Sequence, residues 1–208
     1  TMGEARVAAA QEGLIAFKPS FGTVSRLGLI GIEPSLEVPS VVGRDLARMQ
    51  QALAAMCVRD DNDFSMTGED LPDFLALPSL QGEAMRIGVV KEYLEGLDEL
   101  ERSAMDAALA ALESTGFAVQ GVSFPDYGLF GAVHNIVGAV EASSSAGKYD
   151  GVRYGHRTAT AKNWNEMYLK SRGESFGTLI KAYLFQGAFF QFNRYDVFEQ
   201  ACRVRRAL

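Results

Sequence analysis

The sequence is poor in the residues from which compact catalytic and metal sites are most often built. Its 208 residues hold two cysteines (Cys57 and Cys202), two histidines (His134 and His156), one tryptophan and six prolines. Two thiols so far apart exclude a disulfide framework and a zinc knuckle. Both lie in helix-like stretches and read as buried free thiols. Neither histidine has a Cys, Asp or His partner at ligand spacing. Each reads as a structural or surface residue, and neither a metal nor a cofactor is expected. Long apolar runs are missing: GLFGAV (128–133) and AYLFQGAFF (182–190) fall short of the roughly 20 residues a membrane span requires. No segment has the charged-then-apolar build of a signal peptide, and Thr1 is not an initiator, so the sequence reads as a processed, trimmed or partial chain. Positive charge is the minority sign, with 20 Lys and Arg against 26 Asp and Glu and a net charge of −6. That balance argues against strong nucleic-acid binding through phosphates, and RVRR (203–206) reads as a solvated helix end.

What is present is material for a core. Hydrophobic residues make up 48% of the chain and charged residues 22%, which suits one globular domain, or a domain with an appendage. Residues 3–12 favour a helix stopped by Gly13, and LIAF (14–17) reads as a short strand. Gly, Pro and Ser make 18–35 a loop. Over 44–58, Leu46, Met49, Leu53 and Met56 share one helical face. The acids Asp60, Asp61 and Asp63 lack the glycine and distal glutamate of an EF-hand, so they read as a solvated helix exit, within an excursion over the surface at 59–84.

The clearest unit follows. RIGVV (86–90) is an apolar strand, Asp98 is an N-cap, and Leu100, Met105, Leu109 and Leu112 form a stripe on a helix ended by Gly116. FAVQGVSF (117–124) is the next strand. Strand, helix and strand of these lengths make a βαβ unit with parallel strands. Beyond it the chain turns helical from 128, over 163–172 and over 177–206. The last stretch carries so many rings, Tyr183 to Phe198, that it is either a core helix or a partner-facing one. Walker, dinucleotide and G-x-S-x-G motifs are all missing, so spacing alone marks no active site.

Longer stretches are more telling. FKPSFGTVSRLGLI (17–30), MRIGVVKEYLEGLD (85–98), EASSSAGKYDGVRYGHR (141–157), EMYLKSRGESFGTLIK (166–181) and YDVFEQACRVRRAL (195–208) resemble, in order and nearly without gaps, motifs of the amidase-signature family. Within it they are most similar to the A subunits of glutamyl-tRNA(Gln) amidotransferase, and YDGVRYGHR is the most specific match. The resemblance implies an α/β fold, a mixed β-sheet flanked by helices. Residues 1–208 would form the central portion of that domain, with the βαβ unit at about 86–124 and a helical, aromatic-rich part at about 128–208.

It also implies a chemistry. Members of the family hydrolyse amides with a serine nucleophile in a T-G-G-S-I-R motif, a second serine in a cis peptide, and a lysine base. Counted back from KPSFG, that motif falls on TMGEAR (1–6). Thr1, Gly3 and Arg6 match, but an oxyanion-hole glycine is Met2 and the nucleophile is Glu4. A carboxylate has no hydroxyl to activate, and it sets negative charge where an oxyanion must form. The lysine and the cis-serine belong to segments that would precede residue 1. The arginine that binds the glutamine carboxylate is replaced in IKAYL, which has Ala182 and Tyr183 in place of two arginines, and the tyrosine pair lining the same pocket reads His134–Asn135. D-Q-I-G-P-F-T-R has become EVPSVVGR (37–44).

The expectation is therefore a catalytically inactive, amidotransferase-A-like pseudoenzyme. It would serve as a structural subunit in an obligate complex with other protein chains, with mitochondria as the expected compartment and a bacterial or other organellar soluble compartment as the alternative. The alternative is a piece of a working A subunit that releases ammonia from glutamine for tRNA-dependent amidation. A hydrolase with rebuilt chemistry finds no nucleophile–base pair in the sequence.

Overall fold

The computed structural model describes residues 3–76 and 85–208, so Met2 and the last part of the expected surface excursion at 59–84 lie outside the described residues. The chain opens with helix α1 (Glu4–Gln11), followed by strand β1 (Ile15–Phe17). Gly13, at φ +61°, takes the left-handed turn between them that a side chain would resist. Strand β2 (Val41–Gly43) pairs antiparallel with β1, Ile15 facing Gly43. Helix α2 (Leu46–Met56) is capped by the Asp45 carboxylate, which accepts from the Arg48 N–H, and it buries Met49 and Leu53. Its apolar face covers the β1–β2 pair, where the rings of Phe17 and Phe74 meet edge to face at 6.0 Å.

The second unit runs through β3 (Arg86–Val90), a short α3 (Lys91–Glu95), α4 (Glu99–Ser114) and β4 (Ala118–Val122). β3 and β4 are parallel, in register from Arg86–Ala118 to Val90–Val122. The Asp98 carboxylate accepts from the Glu101 N–H while Glu101 accepts from the Asp98 N–H, a complete capping box. The expected stripe is only partly covered. Met105, Leu109 and Leu112 are half-buried, but Leu100, in the first turn of α4, is 80% exposed.

The remaining helices are α5 (Tyr127–Ser145), α6 (Trp164–Ser175), α7 (Thr178–Phe192) and α8 (Tyr195–Ala207). They hold the driest part of the molecule. Val133 and Val137 of α5 close on Ala201 of α8, with Ile136 and Val204 alongside. α5 also crosses α7 at backbone distance: a Cβ at Gly187 would overlap the Ala139 carbonyl and come within 2.7 Å of the Ser143 Cβ. Small residues at the crossing, Ala139 and Ala142, are fully buried as a result.

Three expectations need correction. The stretch 177–206 is two helices, broken at Asn193–Arg194, where both backbone N–H groups turn to the Phe189 carbonyl and the Arg194 guanidinium grips Asp196. Cys202 is exposed rather than buried, because α8 packs through Ala201 on the neighbouring face, and Cys57 is half-buried. The acids after α2 are not simply solvated: Asp60 accepts from the Ser25 hydroxyl at 2.7 Å and Asp63 from the Arg26 N–H at 2.6 Å, which pins the 18–35 loop. The expected α/β class stands, its strands forming two separate pairs among the described residues, one antiparallel and one parallel.

Candidate functional site

The start of α1 stands over a cleft. Gly3, at φ +81°, occupies the N-cap without a side-chain cap bond, and Glu4 is the acid in the first turn, where the helix dipole favours negative charge. Two adjoining hollows of about 220 and 610 Å³ share Gly3, Arg6, Lys18 and Leu36 in their walls. Glu4 borders the smaller, and His134 of α5 borders the larger, over an apolar floor of Phe130, Val133 and Val137. Two sequence positions 130 residues apart, Glu4 and His134, therefore meet at one cleft. Asn135 is half-buried beside His134.

A serine and a lysine also border the smaller hollow, but they are engaged elsewhere. Lys18 donates to the Pro19 carbonyl at 2.7 Å and Ser40 to the Val38 carbonyl at 3.1 Å. Neither hydrogen bond activates a hydroxyl, as a nucleophile–base pair requires.

Tyr183 reaches in a different direction. From α7 its hydroxyl donates to Glu33 Oε1 at 3.0 Å, across the turn of α5 at Gly138. Glu33 is 3% exposed, and desolvation pushes its carboxyl above the usual range, opposed by the Tyr183 hydrogen bond and by His134. Burial, with the Glu33 charge next in importance, likewise pushes the Tyr183 hydroxyl up. His134, through its charge, and Tyr183, through its hydrogen bond, act on Glu33 from separate helices. Sequence reading missed Glu33; its one signal is a lone charge inside the apolar run GLIGIEPS.

Two further polar knots tie the helices and loops together, one of them at the cleft wall through Arg205. The Ser35 N–H and hydroxyl donate to Glu141 of α5, while Arg205 of α8 donates to the Ser35 hydroxyl and carbonyl. Farther off, His156 pairs with Glu174 at 2.5 Å and Thr158 donates to the same carboxylate, which lowers the Glu174 value. Among the described residues, no three His, Cys, Asp or Glu side chains gather as metal ligands.

Fold and cleft together define an α/β protein of amidase architecture. A solved structure described as an amidase superposes with a TM-score of 0.71 at 24% identity, over 99% of this chain and 39% of that one. The A subunit of glutamyl-tRNA(Gln) amidotransferase from Thermotoga maritima superposes at 0.61 and 21% identity, over 93% and 37%. The Amidase family model matches residues 1–208, and the chain belongs to the amidase family. Proteins named as the A subunit of glutamyl-tRNA(Gln) amidotransferase are 32% identical over 213 residues in Clostridium botulinum (strain Kyoto / Type A2) and 37% identical over 210 in Ligilactobacillus salivarius. They match 100% and 99% of this chain but 44% and 43% of their own lengths, so the chain spans less than half of these curated relatives. No helix among the described residues is long and apolar enough to cross a membrane.

Proposed function

We propose that this chain belongs to a member of the amidase family that has given up serine amide chemistry and acts as a structural subunit of a protein assembly. The observation that carries the reading is Glu4, a carboxylate at the cleft position where the resemblance puts the nucleophilic hydroxyl. Tyr183, committed to Glu33, supports it, because a phenol cannot offer the bidentate charged grip of an arginine. The reading includes an obligate partner, since the exposed rings of Phe185 and Phe192 offer apolar surface to bury. It also includes a mitochondrial location, which localisation of a tagged chain would check. The test is glutamine-dependent ammonia release by the full-length protein. None is expected, and Glu4→Ser is expected not to restore it; release that Glu4→Ala abolishes would overturn the reading.

A second reading, part of a working amidotransferase A subunit, is favoured by the names of the relatives matched along the whole chain. Release of ammonia that a glutamine analogue blocks would establish it.

A further inference from the structure

Glu33 is a buried acid that lacks its usual company. One carboxyl oxygen takes the Tyr183 hydroxyl; the other, Oε2, has no exposure and no hydrogen-bond partner among the described residues. No Lys or Arg side chain among them bonds to it, and its own N–H is spent on the Glu37 carboxylate at 3.0 Å. An ionised carboxylate is expensive in such a place; a neutral acid costs less, losing only the one O–H bond that finds no acceptor at Oε2. The room is shaped for the group. At Gly138 a Cβ would stand 2.5 Å from the Tyr183 hydroxyl and 3.4 Å from the Glu33 carboxyl carbon, so glycine is what lets the acid and the phenol meet against α5. His134, one turn earlier on α5, lies near enough for its charge to act on the carboxyl, and with Val137 it also borders the 610 Å³ cleft. Helices α5 and α7 thus build a niche beside that cleft, and a tethered three-carbon acid from the 18–35 loop occupies it.

We propose that Glu33 is an internal ligand: its side chain fills a carboxylic-acid subsite formed by Tyr183, Gly138 and the adjoining face of α5, and so closes that niche to free acids. The ligand class the subsite takes is a short, neutral monocarboxylic acid; the side chain of glutamate from Cβ outward is propionic acid in composition and shape. The inference rests on the non-catalytic reading, which leaves the niche without a substrate to serve.

The test removes the internal ligand and supplies a free one. Full-length wild type and Glu33→Ala are melted at about pH 5, where much of a simple carboxylic acid is neutral, with propionate, 1-propanol or sodium chloride added. Glu33→Ala is expected to melt lower than wild type and to rise with propionate, by about 3 °C or more for each tenfold increase above the dissociation constant. Wild type should show no such rise, and Tyr183→Phe added to Glu33→Ala should abolish it. An equal response to 1-propanol would mark a plain cavity and overturn the inference, as would a propionate response no larger than that of wild type. Should Glu33→Ala be recovered only unfolded, its refolding yield with propionate against 1-propanol decides the same question. Ammonia release would sink the non-catalytic reading without touching propionate binding, whereas a missing propionate response sinks only the subsite.

Discussion

Residues 86–122 and residues 127–207 both carry helices with apolar stripes, yet only the second region has a buried centre. From β3 to β4 no residue is fully buried, and the α4 stripe reaches half-burial at best. In the α5–α7–α8 region Ala139 and Ala142 are sealed completely and Val137 is 2% exposed. The difference lies less in hydrophobicity than in how closely backbones approach. α4 faces its strands with Met105, Leu109 and Leu112, each only half-buried, whereas α5 and α7 touch through glycine and alanine. Periodicity in a sequence reports which face is apolar; it does not report whether anything will cover that face.

Substitutions can break or sharpen this contrast, read as denaturation free energies of the full-length protein. Gly187→Ala should be the most damaging, at about 3 kcal/mol, because the new methyl group meets the Ala139 carbonyl rather than a side chain that could rotate away. Val137→Ala should cost about 2 kcal/mol by leaving a hole against Ala201. Removing the capping box by Asp98→Ala should cost about 1 kcal/mol, a local loss in the open region. Leu109→Ala, half-buried on α4, should cost less than about 1 kcal/mol; a loss equal to that of Val137→Ala would erase the distinction between the two regions.

The smallest expected effect is a pair of opposite pH trends. Glu33 is held above its ordinary value by burial, so its contribution is complete below the unfolded value and is lost as pH rises through the folded one. Asp63 is held down at about 2, first by the Arg26 N–H and then by Ser65, so its contribution is present above 3.8 and lost as pH falls towards 2. Melting profiles of wild type and Glu33→Gln should differ on the rising side alone, and Asp63→Asn should flatten the acid side.

What the sequence reveals and what it hides follow the same division. The parallel β3–β4 pairing, the Asp98 cap and the left-handed turn at Gly13 are each legible from patterns of neighbouring residues. The crossing of α5 and α7 depends on glycine and alanine far apart in the chain, neither of which carries an apolar signal. The break between α7 and α8 has no glycine or proline to announce it, being made by two N–H groups that share the Phe189 carbonyl. Glu4 and His134 at the cleft, and Tyr183 behind it, could be named from the resemblance, and Met2 falls outside the described residues. Glu33, which links two of them, could not be named, because its partner lies 150 residues away.

The contact between Gly187 and Ala139 also has a mechanical meaning. Two helices joined backbone to backbone have no side-chain cushion between them, so they behave as one stiff crossbar. One arm of that bar presents Phe185 and Phe192 to the outside, and the other carries His134 to the cleft wall. At that crossing a displacement of α7 meets the backbone of α5 directly, with no side chain between them to take it up.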